Sequence, residues 1–199
     1  AVVVLQEIFG VNSHIRAVAD GYALDGYLAV APATFHRVKQ GVELGYNAED
    51  ISAGVALKAA VEGLPAPGVL PDIQAAIDYA KQAGKVAVVG YCWGGLLTWR
   101  AACLLKGLSA AVPYYGGGMT AAAEAARVPQ VPVLVHFGEQ DHSIPVETAR
   151  AFAKAQPAVD VKFYDANHGF NCDQRGSYNE AAAKLARERT RTFLAQHLG

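Results

Sequence analysis

Short apolar runs alternate along the chain with longer segments in which apolar and polar residues are mixed. The apolar runs are rich in β-branched residues and end at glycine, proline or a polar residue, which is typical of buried strands. The last mixed segment repeats apolar or small residues at spacings of three and four, which predicts an amphipathic helix. Six strands are predicted, at about residues 1–6, 27–32, 86–90, 108–115, 131–137 and 159–164.

The segments between the strands are predicted to be helical. Asn12 or Ser13 caps the first helix, and the pair Pro71-Asp72 fits a helix start. Helices are expected at about residues 12–24, 48–62, 70–82, 96–105, 120–127, 146–156 and 181–197. This alternation favours an α/β fold, a doubly wound and mainly parallel sheet flanked by helices. No repeat or linker is visible, so we expect a single domain over residues 1–199.

The segment Lys85–Thr98 (KVAVVGYCWGGLLT) joins a buried strand to a helix through the pattern Gly-x-Cys-x-Gly. This is the nucleophile-elbow pattern with a cysteine, Cys92, in place of serine. The flanking Gly90 and Gly94 fit a tight turn that larger side chains would crowd. The helix N-terminus that follows favours a thiolate. Taken alone, the pattern fits a buried structural cysteine equally well.

Two further polar residues follow predicted strands at the same edge of the sheet. Asp141 lies in GEQDHSIP after the fifth strand, and His168 lies in DANHGF after the sixth. The order nucleophile, acid, histidine matches the α/β-hydrolase order. His168 is the candidate base for the Cys92 thiol, and Asp141 would orient its imidazole. Taken alone, Asp141 is better explained as a turn or cap residue before the helix at 146. His142 is a rival histidine, and its position directly beside Asp141 makes it the weaker candidate.

Glu7 follows the first predicted strand at this edge. A carboxylate next to a buried strand is costly unless it is paired. It is therefore either a solvated loop residue or a partner of Cys92, as hydrogen-bond partner or proton acceptor. In the second arrangement the backbone N–H of Ile8 faces the same pocket, and with that of Trp93 it forms a two-donor oxyanion hole.

Composition narrows the function classes further. The 199 residues are 52% hydrophobic with a net charge of −1, so a large core is expected and nucleic acid or a membrane surface is not an expected partner. No apolar stretch is long enough to cross a bilayer. The three cysteines suggest a reducing, cytoplasmic location. The chain opens in a strand without an initiator methionine, so we expect residues to precede Ala1.

No metal or organic cofactor is predicted. No spacing of His, Cys, Asp and Glu resembles a zinc site. The run Gly116-Gly117-Gly118 lacks the dinucleotide-binding fingerprint and is interpreted as a loop. His136 lies inside a predicted strand and is interpreted as a core histidine with satisfied hydrogen bonds. The expected state is a monomer.

Four motifs resemble the dienelactone hydrolase (carboxymethylenebutenolidase) family of the α/β-hydrolase superfamily. They are QEIFGVN at 6–12, GYCWGG at 90–95, GEQDHSIP at 138–145 and HGF at 168–170. The resemblance extends from Ala1 to the final helix, although the family fold begins with an extra pair of strands that this sequence lacks. A cysteine elbow together with QEIFG is the specific part of the match.

The resemblance implies a Cys92, His168 and Asp141 triad with Glu7 as its partner. In the family the glutamate holds the resting thiol protonated, and substrate binding releases the glutamate to help generate the thiolate. The thiolate opens a dienelactone from catechol breakdown, and hydrolysis of the thioester acyl-enzyme gives maleylacetate. No cofactor is implied, and the implied partner is a small-molecule lactone or ester.

The sequence departs from the family in the residues that bind the substrate carboxylate. The family places one arginine four residues after the catalytic histidine, where this chain has Cys172, and another in a segment that here, around residues 50–54, has none. Arg37 and Arg175 are the basic residues nearby. The substrate contacts predicted here are Arg37 and Phe170.

Three functions follow from these observations. The first is a cysteine-dependent carboxylic ester hydrolase acting on dienelactone. The second is a broader small-molecule carboxylesterase or thioesterase, which the missing arginines favour. The third is a non-catalytic ligand-binding relative, which the complete triad disfavours.

Overall fold

The computed structural model describes residues 1–199, and its six strands form one parallel sheet in the order β2-β1-β3-β4-β5-β6. The strands are β1 (Val2–Leu5), β2 (Ala29–Val30), β3 (Ala87–Tyr91), β4 (Ala110–Tyr114), β5 (Leu134–Gly138) and β6 (Asp160–Tyr164). The chain runs from β1 to β2 on one side and then crosses to β3 on the other. The order therefore reverses beside β1, and ligands of open α/β sheets bind at such a reversal.

Seven helices cover the sheet, which confirms the predicted α/β class. They are α1 (Ser13–Leu24), α2 (Ala48–Glu62), α3 (Leu70–Ala80), α4 (Trp93–Leu104), α5 (Ala122–Ala125), α6 (Val146–Ala155) and α7 (Glu180–Leu198). Asn12, Asn47 and Asn179 cap α1, α2 and α7, and each side-chain oxygen accepts a backbone N–H three residues on. None of the helices has both the length and the apolar character that crossing a membrane requires.

Neighbouring residues of β3 face opposite helical layers. Gly90 faces α4, where an added Cβ would lie 2.3 Å from Thr98 Oγ1. Tyr91 faces the other layer, and its hydroxyl lies 3.3 Å from that of Tyr22 in α1. β1 and β3 are buried along their whole length because they lie inside the sheet and are covered on both faces.

Several element boundaries differ from the prediction, and two of the differences have a clear physical reason. The second strand has only two residues instead of the run 27–32, because it lies at the edge of the sheet beside β1 alone and Pro32 has no N–H to donate. Helix α4 begins at Trp93 and not near residue 96, so Gly94 and Gly95 lie inside its first turn. β6 is less buried than the strands inside the sheet because it lies at the other edge.

His136 in β5 has buried partners in β6 and α7, which confirms its interpretation as a core histidine with satisfied hydrogen bonds. Its Nδ1 lies 2.7 Å from the Tyr164 hydroxyl and its Nε2 lies 2.9 Å from Thr190 Oγ1. The Tyr114 hydroxyl lies 2.6 Å from the same Thr190 oxygen. Burial, helped by the charges of Arg189 and Lys162, lowers the pKa of His136 to about 3, so this ring is neutral in the folded protein.

This buried histidine makes the protein sensitive to acid. Between pH 6.5 and about 3 the unfolded chain protonates His136 and the folded protein does not. The free energy of unfolding therefore falls as the pH drops below 6.5, by at most about 1.4 kcal/mol per pH unit from this group. Urea unfolding at pH 7, 6 and 5 measures it. His136→Gln should start less stable and lose less on acidification, and parallel pH profiles for the two proteins would contradict this origin.

Candidate active site

Cys92 lies at the turn between β3 and α4 in a strained backbone conformation. Its φ is +56° and its ψ is −118°, a region that residues with a side chain rarely adopt. Its backbone N–H donates to the Tyr114 carbonyl at 3.1 Å, which fixes the turn against β4. The side chain is half-buried at the carboxyl end of the sheet.

The glycines around Cys92 are required by close backbone contacts. A Cβ added to Gly94 would lie 2.4 Å from the carbonyl oxygens of Leu5 and Gln6 at the end of β1. A Cβ added to Gly90 would lie 2.1 Å from the Gly94 carbonyl oxygen. The two glycines of the Gly-x-Cys-x-Gly pattern are thus needed because the start of α4 packs directly against the backbones of β1 and β3.

The structure brings Cys92, His168 and Asp141 into one chain of contacts. His168 Nε2 lies 3.1 Å from Cys92 Sγ, and His168 Nδ1 lies 2.8 Å from Asp141 Oδ2. The other oxygen of Asp141 accepts the backbone N–H groups of Ser143 and Ile144 at 2.8 and 3.0 Å. Asp141 therefore orients the imidazole while it also holds the turn that precedes α6. His142, the rival histidine, is exposed.

The contacts of His168 determine its protonation. Burial alone lowers the pKa of His168, but negative charge on Cys92 and the hydrogen bond to Asp141 outweigh burial and raise it to about 10. When Cys92 carries a negative charge, the imidazole therefore holds a proton that faces the sulfur. This is the protonation state that a base needs after it has taken the proton of a nucleophile.

Two backbone N–H groups near the elbow are free to bind an anion. Neither Ile8 nor Trp93 donates in the backbone hydrogen bonds outside the regular elements. Trp93 opens α4, where first-turn N–H groups have no partner within the helix. The Ile8 loop is held by α2, since a Cβ on Gly54 would lie 2.4 Å from the Ile8 carbonyl oxygen.

Glu7 is paired differently from the prediction. Its side chain is buried, and its Oε1 accepts from Arg175 Nη1 at 3.2 Å. The structure has no hydrogen bond between Glu7 and Cys92, because the thiol is taken by His168. Glu7 and Cys92 nevertheless share a neighbour, Tyr115. Burial, followed by the charges of Glu7, Cys172 and Cys92, raises the pKa of Tyr115.

Neither of the two predicted substrate contacts has a free side chain in the structure. Arg37 is held at the surface by Asp72, with Nε–Oδ2 and Nη2–Oδ1 distances of 2.6 and 2.8 Å. Phe170 is 0% exposed and packs under Tyr115 with ring centres 5.1 Å apart. Arg37 is thus occupied by an ion pair, and Phe170 has no surface to offer a substrate.

Tyr115 and Arg175 are the site neighbours that the sequence analysis passed over or ranked low. Tyr115 has a φ of +35°, and its ring centre lies 5.2 Å from that of His168. It directly follows β4, so the rule that selected the other strand-end residues also applied to it. The Arg175 guanidinium lies over the rings of Phe9 and Tyr46 at 5.5 and 5.8 Å. No local pattern reveals that packing.

The chain matches known proteins over nearly its whole length. The model of the dienelactone hydrolase family matches residues 1–198. A carboxymethylenebutenolidase of Pseudomonas putida is 34% identical, with 98% of this chain and 84% of the relative covered. A candidate carboxymethylenebutenolidase of Synechocystis sp. is also 34% identical, covering 99% and 86%. The crystal structure of a candidate dienelactone hydrolase from Klebsiella pneumoniae has a TM-score of 0.82 at 32% identity, covering 98% and 86%.

The packing of the elbow predicts the effect of adding one methyl group. Gly94→Ala should push α4 away from β1 and displace both Cys92 and the Trp93 N–H. We expect a loss of ester hydrolysis of at least about 100-fold, since small displacements in a reacting site have effects of that size. Gly117→Ala is the matched control, because a Cβ there meets nothing within 4 Å. Equal activity of the two variants would contradict the packing argument.

Proposed function

The chain belongs to the dienelactone hydrolase family and is a carboxylic ester hydrolase, and on that premise we propose that Cys92 is its nucleophile. The observation that carries the proposal is the relay from sulfur to imidazole to carboxylate, with contacts of 3.1 and 2.8 Å. We propose that the enzyme opens a dienelactone (carboxymethylenebutenolide) to maleylacetate. The site is contributed by the single domain over residues 1–199.

The reaction then follows from the positions of the side chains. His168 holds the thiol proton, and the Cys92 thiolate attacks the lactone carbonyl carbon. The N–H groups of Ile8 and Trp93 bind the oxyanion of the tetrahedral intermediate. When the ring C–O bond breaks, the enol oxygen leaves with a proton from His168, and a thioester remains on Cys92.

Hydrolysis of the thioester completes the cycle. His168 takes a proton from water, the resulting hydroxide attacks the thioester, and the sulfur leaves as the thiolate. Asp141 holds the imidazole in the tautomer that both steps need. No metal or organic cofactor takes part. The three unpaired cysteines support a reducing, cytoplasmic setting for a reactive thiol.

We propose that Arg175 binds the substrate carboxylate. The family position four residues after the histidine holds Cys172 here, so the cation must come from another residue. Arg175 is buried except for 19% of its side chain and pairs with Glu7. A substrate carboxylate that takes this guanidinium would leave Glu7 without its partner and able to act on the thiol.

A broader esterase is the second candidate. It is favoured by the absence of a basic side chain at Cys172 and at residues 50–54, the two places where the family binds the carboxylate. The two functions differ in the ratio of kcat/KM for cis- or trans-dienelactone to kcat/KM for p-nitrophenyl acetate. A higher value on the neutral ester would favour the broader function.

Removal of the thiol tests the nucleophile. Cys92→Ala should lower kcat/KM on both substrates by at least about 10³-fold, because the covalent route is lost. Acid-quenched wild-type enzyme should carry the acyl group on Cys92 in a mass spectrum. Cys103→Ser, which changes a half-buried thiol at the opposite end of α4 from Cys92, should keep full activity. Dienelactone hydrolysis that survives in Cys92→Ala would refute the thiol mechanism.

Removal of the cation tests substrate selection. Arg175→Met should lower the ratio of dienelactone to p-nitrophenyl acetate efficiency about 10–100-fold, since a charge-assisted hydrogen bond contributes about 1.5–3 kcal/mol. Arg37→Met, which breaks a surface ion pair, should leave the ratio unchanged. If Arg175→Met reduces both efficiencies equally, the guanidinium supports the site without binding the carboxylate.

A further inference from the structure

A second group of chemically active side chains lies beside the proposed triad. Glu7, His14 and Cys172 are all buried, and one ligand atom from each lies within 4.8 Å of one from each of the others. They come from the end of β1, the start of α1 and the loop before α7. The proposed reaction uses Glu7 but has no role for His14 or Cys172.

Two polar atoms in this group are buried without a hydrogen-bond partner. His14 Nδ1 lies 3.4 Å from Asp173 Oδ1, and its Nε2 has no partner. Glu7 Oε1 is taken by Arg175, and its Oε2 has no partner. Buried polar groups are rarely left this way, because losing water without a replacement is unfavourable. A ligand that accepts lone pairs would satisfy both atoms.

The donor set selects the kind of ligand. A thiolate sulfur, an imidazole nitrogen and a carboxylate oxygen are donors that zinc and similar transition metals bind, whereas calcium and magnesium prefer oxygen alone. The contact of His14 with Asp173 is the second contact common for a metal-bound histidine, and it leaves Nε2 as the free donor. Zinc bonds of about 2.0–2.3 Å require the side chains to close in by about 1 Å.

The charges also balance. Glu7, the Cys172 thiolate and Asp173 supply three negative charges, and Arg175 supplies one positive charge. A divalent cation therefore brings the group to neutrality, whereas binding of an anion would add to the negative charge. On binding, the thiol proton of Cys172 is released to solvent and the sulfur–metal bond takes its place.

We propose that Glu7, His14 and Cys172 form a regulatory site for a divalent transition-metal ion of the zinc class, with water in the remaining position. The ion occupies Glu7 Oε2 and holds this carboxylate away from the thiol, so binding inhibits the enzyme. The inhibitory part rests on the proposed role of Glu7 in the hydrolase reaction. The binding part does not.

Binding is tested in the Cys92→Ala protein, where the triad has no thiol to offer. Titration with Co²⁺ should give a thiolate-to-cobalt absorption band in the near ultraviolet, and Zn²⁺ should displace the cobalt. Adding Cys172→Ser should abolish the band, and adding His14→Gln should weaken cobalt binding at least tenfold. Adding Cys103→Ser should leave it unchanged. A band that survives Cys172→Ser, or no band at all, would overturn the proposed site.

Inhibition is tested in the protein with Cys92 intact. Zn²⁺ should inhibit hydrolysis of dienelactone, whose carboxylate is the group proposed to free Glu7 from Arg175, and a chelator should restore it. His14→Gln and Cys172→Ser should retain the basal rate but need at least tenfold more Zn²⁺ for half inhibition. Circular dichroism and the melting temperature establish that each variant is folded, and either variant suffices if the other is not. Equal inhibition of wild type and both variants would mean that zinc acts at Cys92 and His168 and would refute this regulation.

Discussion

The close approach of α4 to the carboxyl end of β1 determines the geometry of the whole site. The backbone at Gly94 lies so near the Leu5 and Gln6 carbonyls that no side chain fits between them. The helix can start there only if the preceding residue turns sharply, and Cys92 takes the strain with a positive φ. That strain exposes the sulfur and leaves the first helical N–H free. It also brings the elbow beside the Glu7–Ile8 loop, where the strand order reverses.

Near this contact between α4 and β1 the protein buries two carboxylates, and burying either one without a partner would be unfavourable. Asp141 is 5% exposed and Glu7 is 0% exposed. Each is compensated differently: Asp141 by two backbone N–H groups and His168, and Glu7 by Arg175 on one oxygen only. A fully compensated acid is a fixed support, whereas a half-compensated one can change partners. Both carboxylate oxygens of Asp141 thus have hydrogen-bond partners, whereas one oxygen of Glu7 has none.

Local patterns in the sequence predict much of the fold and part of the site. The α/β class, the elbow around Cys92 and the strand-end positions of Asp141 and His168 follow from periodicity, glycine spacing and one topological rule. The predicted start of α4 was wrong, because Gly94 and Gly95 usually argue against a helix interior and here are needed for packing. Helix propensity yields to tertiary contact in such a turn.

Side-chain partners that depend on long-range packing could not be predicted from the sequence. The pairing of Arg37 with Asp72 spans 35 positions and that of Glu7 with Arg175 spans 168. Nothing in either local sequence identifies the partner. The burial of Phe170 has the same origin, since His168, two residues earlier, contacts Cys92 while Phe170 packs among Tyr114, Tyr115 and Tyr164.

The position of Cys172 links these observations. A cation at this place would face Glu7 directly, but a thiol leaves the carboxylate to an arginine three residues further along the loop. Arg175 reaches it over the faces of Phe9 and Tyr46, so one carboxylate oxygen and His14 Nε2 stay without a partner. Under the two proposals above, the same replacement decides which residue presents positive charge to a substrate and supplies the sulfur of the metal site. Selection of an acidic substrate and sensitivity to a metal ion would then have a common physical origin, because both compete for Glu7.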